Sequence, residues 1–119
     1  MKNEEKDLRE RTKEFARRVI RLYAALPKET VAQVLGKQLL RSGTSVGANY
    51  REANRARSKP EFIAKIGDCL KEARRIDLLD RVAADEHLFP PAQLQPLCQE
   101  ANELVAILVT ISKRSRGDT

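Results

Sequence analysis

QLLRSGTSVGANYREANRARSKPEFIAKIGDCLKEA, residues 38–73, is the stretch whose reading decides the fold. Its first half has the glycines and hydroxyls of a phosphate-cradling loop, yet its small and apolar residues keep helical spacing. A loop of the G-x-x-x-x-G-K-[ST] type needs a lysine and a hydroxyl residue after its second glycine, and a buried strand before the first. Gly43 and Gly47 are not followed by that pair, and no strand pattern precedes them. Leu39, Ser42, Val46, Asn49 and Ala53 instead recur at steps of three and four, which is one face of a helix. A glycine inside a helix costs about 1 kcal/mol relative to alanine, a cost that is tolerable where another backbone must come close. Gly36, Gly43 and Gly47 lie along one side of this helix. Ser42, Thr44 and Ser45 have hydroxyls that return to the preceding turn. The expectation is a close-packed helix with a polar inner layer, in which Asn49 is an inward amide able to fix register.

Three further stripes flank this one. Leu8, Thr12, Phe15, Val19, Leu22 and Leu26 make a first helix with one buried seam, closed by Pro27. Val31, Leu35 and Leu39 bring the second helix into the motif. Ser58-Lys59-Pro60-Glu61 has a capping serine, a proline in the first turn and an acid at the third position, so a third helix starts there. Its stripe is Phe62, Ile66, Cys69, Ala73, Ile76, Leu79 or Asp80, and Ala83. His87 to Pro91 breaks the pattern, and His87 reads as a solvated turn residue. Leu94, Leu97, Ala101, Leu104, Leu108 and Ile111 define a fourth helix that frays into the polar tail Lys113 to Thr119. The spacing predicts helices over about 5–26, 28–56, 59–86 and 91–114. Short connections between them read as one all-α domain, residues 1–119, an antiparallel up-down-up-down four-helix bundle. Residues 104–109, LVAILV, are apolar all round the helix. A buried strand or a larger monomer core are the competing readings; the one preferred here is an extra apolar face that predicts self-association.

Composition agrees with a bundle: aromatics are 4% of the chain, Trp is absent and charged residues are 34%. The formal charge of +6 is unevenly placed. Lys37, Arg41, Arg51, Arg55, Arg57 and Lys59 face a single acid, Glu52, between residues 37 and 59. Arg51, Arg55, Arg57 and Lys59 form a candidate phosphate-binding edge at the turn between the second and third helices, and Lys71, Arg74 and Arg75 a second basic strip. A solvated helix face is the plain alternative for both. Glu52 and Glu72 are the acids available to a polar network with Arg51, Arg74 or Arg75. Tyr23 and Tyr50 are too few for a base-stacking platform.

Nothing places a nucleophile beside a base, so no enzyme is expected. Cys69 and Cys98 have no CxxC or histidine companion and read as buried free thiols, so no cofactor or metal is expected. No apolar run approaches a membrane span and MKNEEKDLRE lacks a signal-peptide core, so a cytoplasmic protein with no membrane partner is expected.

LPKE (26–29), QLLRSGTSVGANYREANRARSKPEF (38–62) and LKEA (70–73) resemble the bacterial four-helix bundle proteins first described from intervening sequences in 23S rRNA genes. The match spans about residues 15–83, while the last helix matches only in character. The specific run is R-S-x-x-S-x-G-x-N-x-x-E, here Arg41, Ser42, Ser45, Gly47, Asn49 and Glu52, followed by Glu72 in LKEA. The resemblance implies an up-down four-helix fold, a homopentameric ring and a basic surface for RNA or other nucleic acid. Related bundles are accessory subunits of a reverse transcriptase in diversity-generating retroelements, which implies the alternative of a protein-interaction scaffold. Arg75 stands where such proteins usually carry an acid and Leu78 where an aromatic is common, so this face is more basic than the family pattern.

Overall fold

The computed structural model describes the backbone of residues 2–117 and the side chains of residues 8–117. Four helices follow one another: α1 (Lys2–Ala24), α2 (Thr30–Asn54), α3 (Lys59–Asp85) and α4 (Pro91–Arg116). No strand occurs among the described residues, and the molecule measures 45 × 23 × 22 Å. One 25-residue helix at about 1.5 Å per residue spans about 38 Å, so the helices run along the long axis and the turns and staggered ends extend it.

All six residues of the α1 seam are buried. The helix closes at Ala24 rather than Leu26, because Pro27 tightens the last turn. Ala25 N–H reaches both Arg21 and Leu22, and Leu26 N–H donates to Tyr23 O. α2 then starts at Thr30, two residues later than expected. The Glu29 carboxylate caps it by accepting from the N–H groups of Val31 (2.8 Å) and Ala32 (3.4 Å). The helix is unbroken through Gly43 and Gly47.

The inward register of α2 differs in part from the expected stripe. Leu39, Ser42, Val46 and Ala53 are buried, but Val31 is 51% exposed and Leu35 and Asn49 are only half-buried. Ala32, Gly36, Leu39, Gly43, Val46, Tyr50 and Ala53 form the buried line. Tyr50, set aside in the sequence as a sparse aromatic, is among the largest fully buried side chains.

The glycines are where α1 comes closest. A Cβ at Gly43 would lie 2.8–3.0 Å from three atoms of Val19, and one at Gly47 would lie 3.1 Å from Thr12 Oγ1. At Gly36 the neighbours are Tyr23 and Leu26. Positions rising along α2 therefore meet positions falling along α1.

Ser58 caps α3, its Oγ accepting from Glu61 N–H (3.2 Å), while Glu61 reaches back to Arg57 N–H (3.1 Å). The helix stops at Asp85. His87 adopts φ 54° and Leu88 N–H donates to Ala83 O, a left-handed helix end with an exposed histidine at its turning point. α4 does not fray at residue 114: it continues to Arg116 and closes on Gly117, whose φ of 82° suits a residue without Cβ. Of the polar tail, Asp118 and Thr119 lie outside the described residues.

Residues 104–109 are helical, not a strand. Leu104 and Leu108 are buried; Val105, Ile107 and Val109 are half-buried, with Val105 and Ile107 against the common core. The surplus apolar face expected on α4 is thus largely absorbed inside the monomer. The exposed large apolar residues are Ile20 on α1, Val31 and Val34 on α2, and Leu78 and Val82 on α3.

α2 packs most extensively on α3, α3 on α4 and α1 on α2, whereas α1 and α4 share only a thin seam. A forked ion pair spans that seam. Arg11 Nη2 and Nε donate to the two Glu100 carboxylate oxygens at 2.7 and 3.1 Å, and Nη2 also reaches Glu103 at 3.1 Å.

Candidate nucleic-acid interface

α2 ends by turning Arg55 N–H onto the carbonyls of Ala53 and Glu52, which leaves Arg51 in the last turn and Arg55 at the cap. A cation there offsets the partial negative charge of a helix C-terminus. Arg51 and Arg55 are both exposed, and with Arg9 and Asn54 they line a shallow depression between α1 and α2. A second depression continues along the same two helices. It is bordered by Lys13 and Arg51 and lined by the small residues Ala16, Gly47 and Ala48.

Arg57 and Lys59 are exposed at the turn into α3 but line neither depression. Lys71, Arg74 and Arg75 are exposed on α3, roughly 18 Å farther along that helix at 1.5 Å per residue. The two basic groups expected from sequence are therefore separate. The outward stripe of α3 runs Asp68, Lys71, Arg75, Leu78 and Val82, so its second basic strip borders two exposed apolar side chains. None of these seven Arg and Lys residues forms an ion pair with a described acid, in contrast to Arg11, Arg17, Arg21 and Arg81.

The motif residues divide between interior and surface. Arg41 is exposed, and its carbonyl accepts from the hydroxyls of Ser45 (2.7 Å) and Thr44 (3.1 Å). Ser42 is buried with no partner for its Oγ, and one oxygen of half-buried Glu72 is likewise buried and unpartnered. Asn49 is half-buried, Glu52 is exposed, and Gly47 lies against Thr12. The expected ion pairs of Glu52 and Glu72 with Arg51, Arg74 or Arg75 are not formed. Glu72 turns an oxygen inward, whereas Arg74 and Arg75 face solvent.

The sequence reading missed Arg9, Lys13 and Asn54, since nothing in a single chain reveals which α1 residues face the end of α2. It placed Leu79 or Asp80 on the inward stripe of α3 but drew nothing from the charge of Asp80 there; both residues are buried. Asp80 is fully buried and neither carboxylate oxygen meets hydrogen-bond geometry with any group. Burial pushes its carboxyl up to about 7; the Cys98 thiol beside it pulls the other way, and Asp77 adds to the rise. Cys98 is in turn raised to about 12, first by burial and then by Asp80. Cys69 is buried and Cys98 half-buried, and both are free thiols. Among the described residues no three His, Cys, Asp or Glu side chains are grouped to hold a metal ion, and no helix is long and apolar enough to cross a membrane.

Residues 4–110 match the model of the 23S rRNA-intervening sequence protein family. The chain belongs to this family. A crystal structure of a protein of unknown function from the S23 ribosomal protein family of Bacteroides thetaiotaomicron VPI-5482 is similar throughout. It is 34% identical, with a TM-score of 0.84 over 92% of this chain and 97% of that one. No curated protein matches the chain significantly. In this intervening-sequence family member the Arg41–Glu52 run thus occupies the C-terminal half of α2: its glycines seat α1, and the helix end that follows presents the arginines.

Proposed function

We propose that this family member is a non-enzymatic, cytoplasmic, oligomeric bundle that binds RNA or other nucleic acid through exposed arginine and lysine side chains. One observation carries the reading. The basic residues around the end of α2 are exposed and have no acid partner among the described residues, whereas Arg11, Arg17, Arg21 and Arg81 are paired. An unpaired guanidinium beside others is favourable chiefly when an anion is near, and phosphate accepts its forked donors well. Contacts of this kind give salt-sensitive affinity with little choice of sequence.

In this proposal the helices form an up-down-up-down bundle. The α1–α2 register supports opposite directions for those helices, as do Arg11 at Glu100 and, farther along α1, Arg21 and Leu22 beside Ala92 and Pro96 for α1 and α4, and the four-residue link 55–58 supports the same for α2 and α3. The bundles assemble as a homopentameric ring, as the resemblance of the α2 motif implies. Exposed Val31, Val34, Leu78 and Val82 are the apolar surface available for that contact. In a ring each basic patch repeats, so weak contacts act together.

A second reading has its own observation: Leu78 is 62% exposed beside the basic strip of α3, a surface that fits a protein partner and makes the chain a scaffold or accessory subunit. Purification at low salt, with and without nuclease, separates the two. The proposed function predicts co-purifying nucleic acid that high salt releases. A protein that stays bound after nuclease treatment, with no nucleic acid retained at low salt, would support the scaffold instead.

A further inference from the structure

The groove between α1 and α2 holds charge that the two sequence patches do not account for. Arg9 and Lys13 lie one turn apart on α1, and Arg51 in the last turn of α2 lies four residues before Arg55 at its C-cap. The helices pass in opposite senses, which brings both pairs to neighbouring depressions that share Arg51. None of the four pairs with a described acid. The walls between them are Thr12, Ala16, Thr44, Gly47 and Ala48, so no long side chain keeps a ligand backbone away. The end of α2 contributes roughly half a negative charge, and the flanking guanidinium groups outweigh it.

We propose that this groove is a phosphate track, in which Arg9, Lys13, Arg51 and Arg55 contact successive phosphodiester oxygens of a nucleic-acid strand and the Asn54 amide supplies a neutral donor. This inference rests on the nucleic-acid reading above. It moves the centre of the interface from the α2–α3 turn to the α1–α2 groove and adds α1 to it. Gly47 acquires a second role: besides seating α1, it keeps the groove shallow enough for a backbone to enter.

The test is fluorescence anisotropy of a short labelled single-stranded RNA against the full chain and its Arg9→Ala, Lys13→Ala, Arg9→Lys and Lys71→Ala variants, from about 50 to 200 mM salt. These side chains are exposed, so melting curves should match the unmodified protein. Arg9→Ala and Lys13→Ala should each weaken binding several-fold at low salt and reduce the magnitude of the salt slope by about 0.7 per lost contact. Arg9→Lys should keep the slope, and Lys71→Ala should change both quantities less than either groove variant. Salt-dependent binding that Arg9→Ala and Lys13→Ala leave intact overturns the groove and spares the broader reading. A chain that binds no RNA at low salt overturns both. Competition by inorganic triphosphate as effective as RNA at equal phosphate concentration identifies a free-phosphate site and overturns the strand assignment.

Discussion

Gly43 and Asp80 show how single positions govern this bundle in opposite ways. A methyl at Gly43 would meet three atoms of Val19 within 3.0 Å, including its Cβ, so the side chain cannot simply swing aside. Overpacking of that kind costs about 1–3 kcal/mol, more than the gain of about 1 kcal/mol from replacing glycine in a helix. Gly67 has open space around it. Gly43→Ala should therefore lower the thermal midpoint and Gly67→Ala should raise it, as read by circular dichroism. At Asp80 the folded chain holds a proton more tightly than the unfolded one, with the carboxyl raised from 3.8 to about 7. The folded state thus binds more protons between these values, and this group makes stability fall as pH rises through them. The groups facing it are Asp77, which adds to the rise, and the Cys98 thiol; Arg81, paired with Asp77, also acts on Cys98. Asp80→Asn should stabilise the protein at pH 8, by at most about 4 kcal/mol, and change little at pH 4. Unfolding in denaturant at the two pH values checks this; an equal effect at both would contradict it.

At the scale of the elements, the thin α1–α4 seam makes one ion pair matter more than its exposure implies. Arg11 grips Glu100 with two donors while both side chains are mostly shielded, at 24% and 16% exposure. Partly buried, charge-assisted pairs of this geometry contribute about 1–2 kcal/mol. Arg11→Ala should destabilise the bundle by that amount, and Arg11→Lys should rescue it only in part because the planar fork is lost. Protection of α1 amides in hydrogen exchange should fall more than that of α3. The helices themselves were legible because each is an amphipathic stripe bounded by Pro27, Ser58 and Pro90-Pro91. Their ends shifted where caps decided matters: Glu29 captured the start of α2, and Gly117 carried α4 past residue 114. The α2 stripe kept its seven-residue spacing but changed flank: Ala32, Leu39, Val46 and Ala53 are joined by Gly36, Gly43 and Tyr50 instead of Leu35 and Asn49, because the two glycines let α1 pack closely on that side.

For the whole molecule, the candidate site was legible only as charge. Arg51 and Arg55 could be found along the chain, but their neighbours Arg9 and Lys13 depend on how α1 lies across α2, which no local pattern encodes. The apolar run 104–109 illustrates the same limit: periodicity marked it as surplus, and tertiary packing shielded most of it. The proposed ring would therefore have to be built on the exposed Ile20, Val31, Val34, Leu78 and Val82. Light scattering should give a mass several times the 13.5 kDa of one chain, and Leu78→Lys should reduce it; a monomer at micromolar concentration would contradict the ring. The most direct test of the central claim, that exposed arginines and lysines bind phosphates, is the salt dependence of the unmodified chain's affinity for RNA. Four phosphate contacts predict a slope of log Kobs against log salt near −3 for a single strand, and steeper if several subunits engage. A slope near zero, or no binding at low salt, would contradict it.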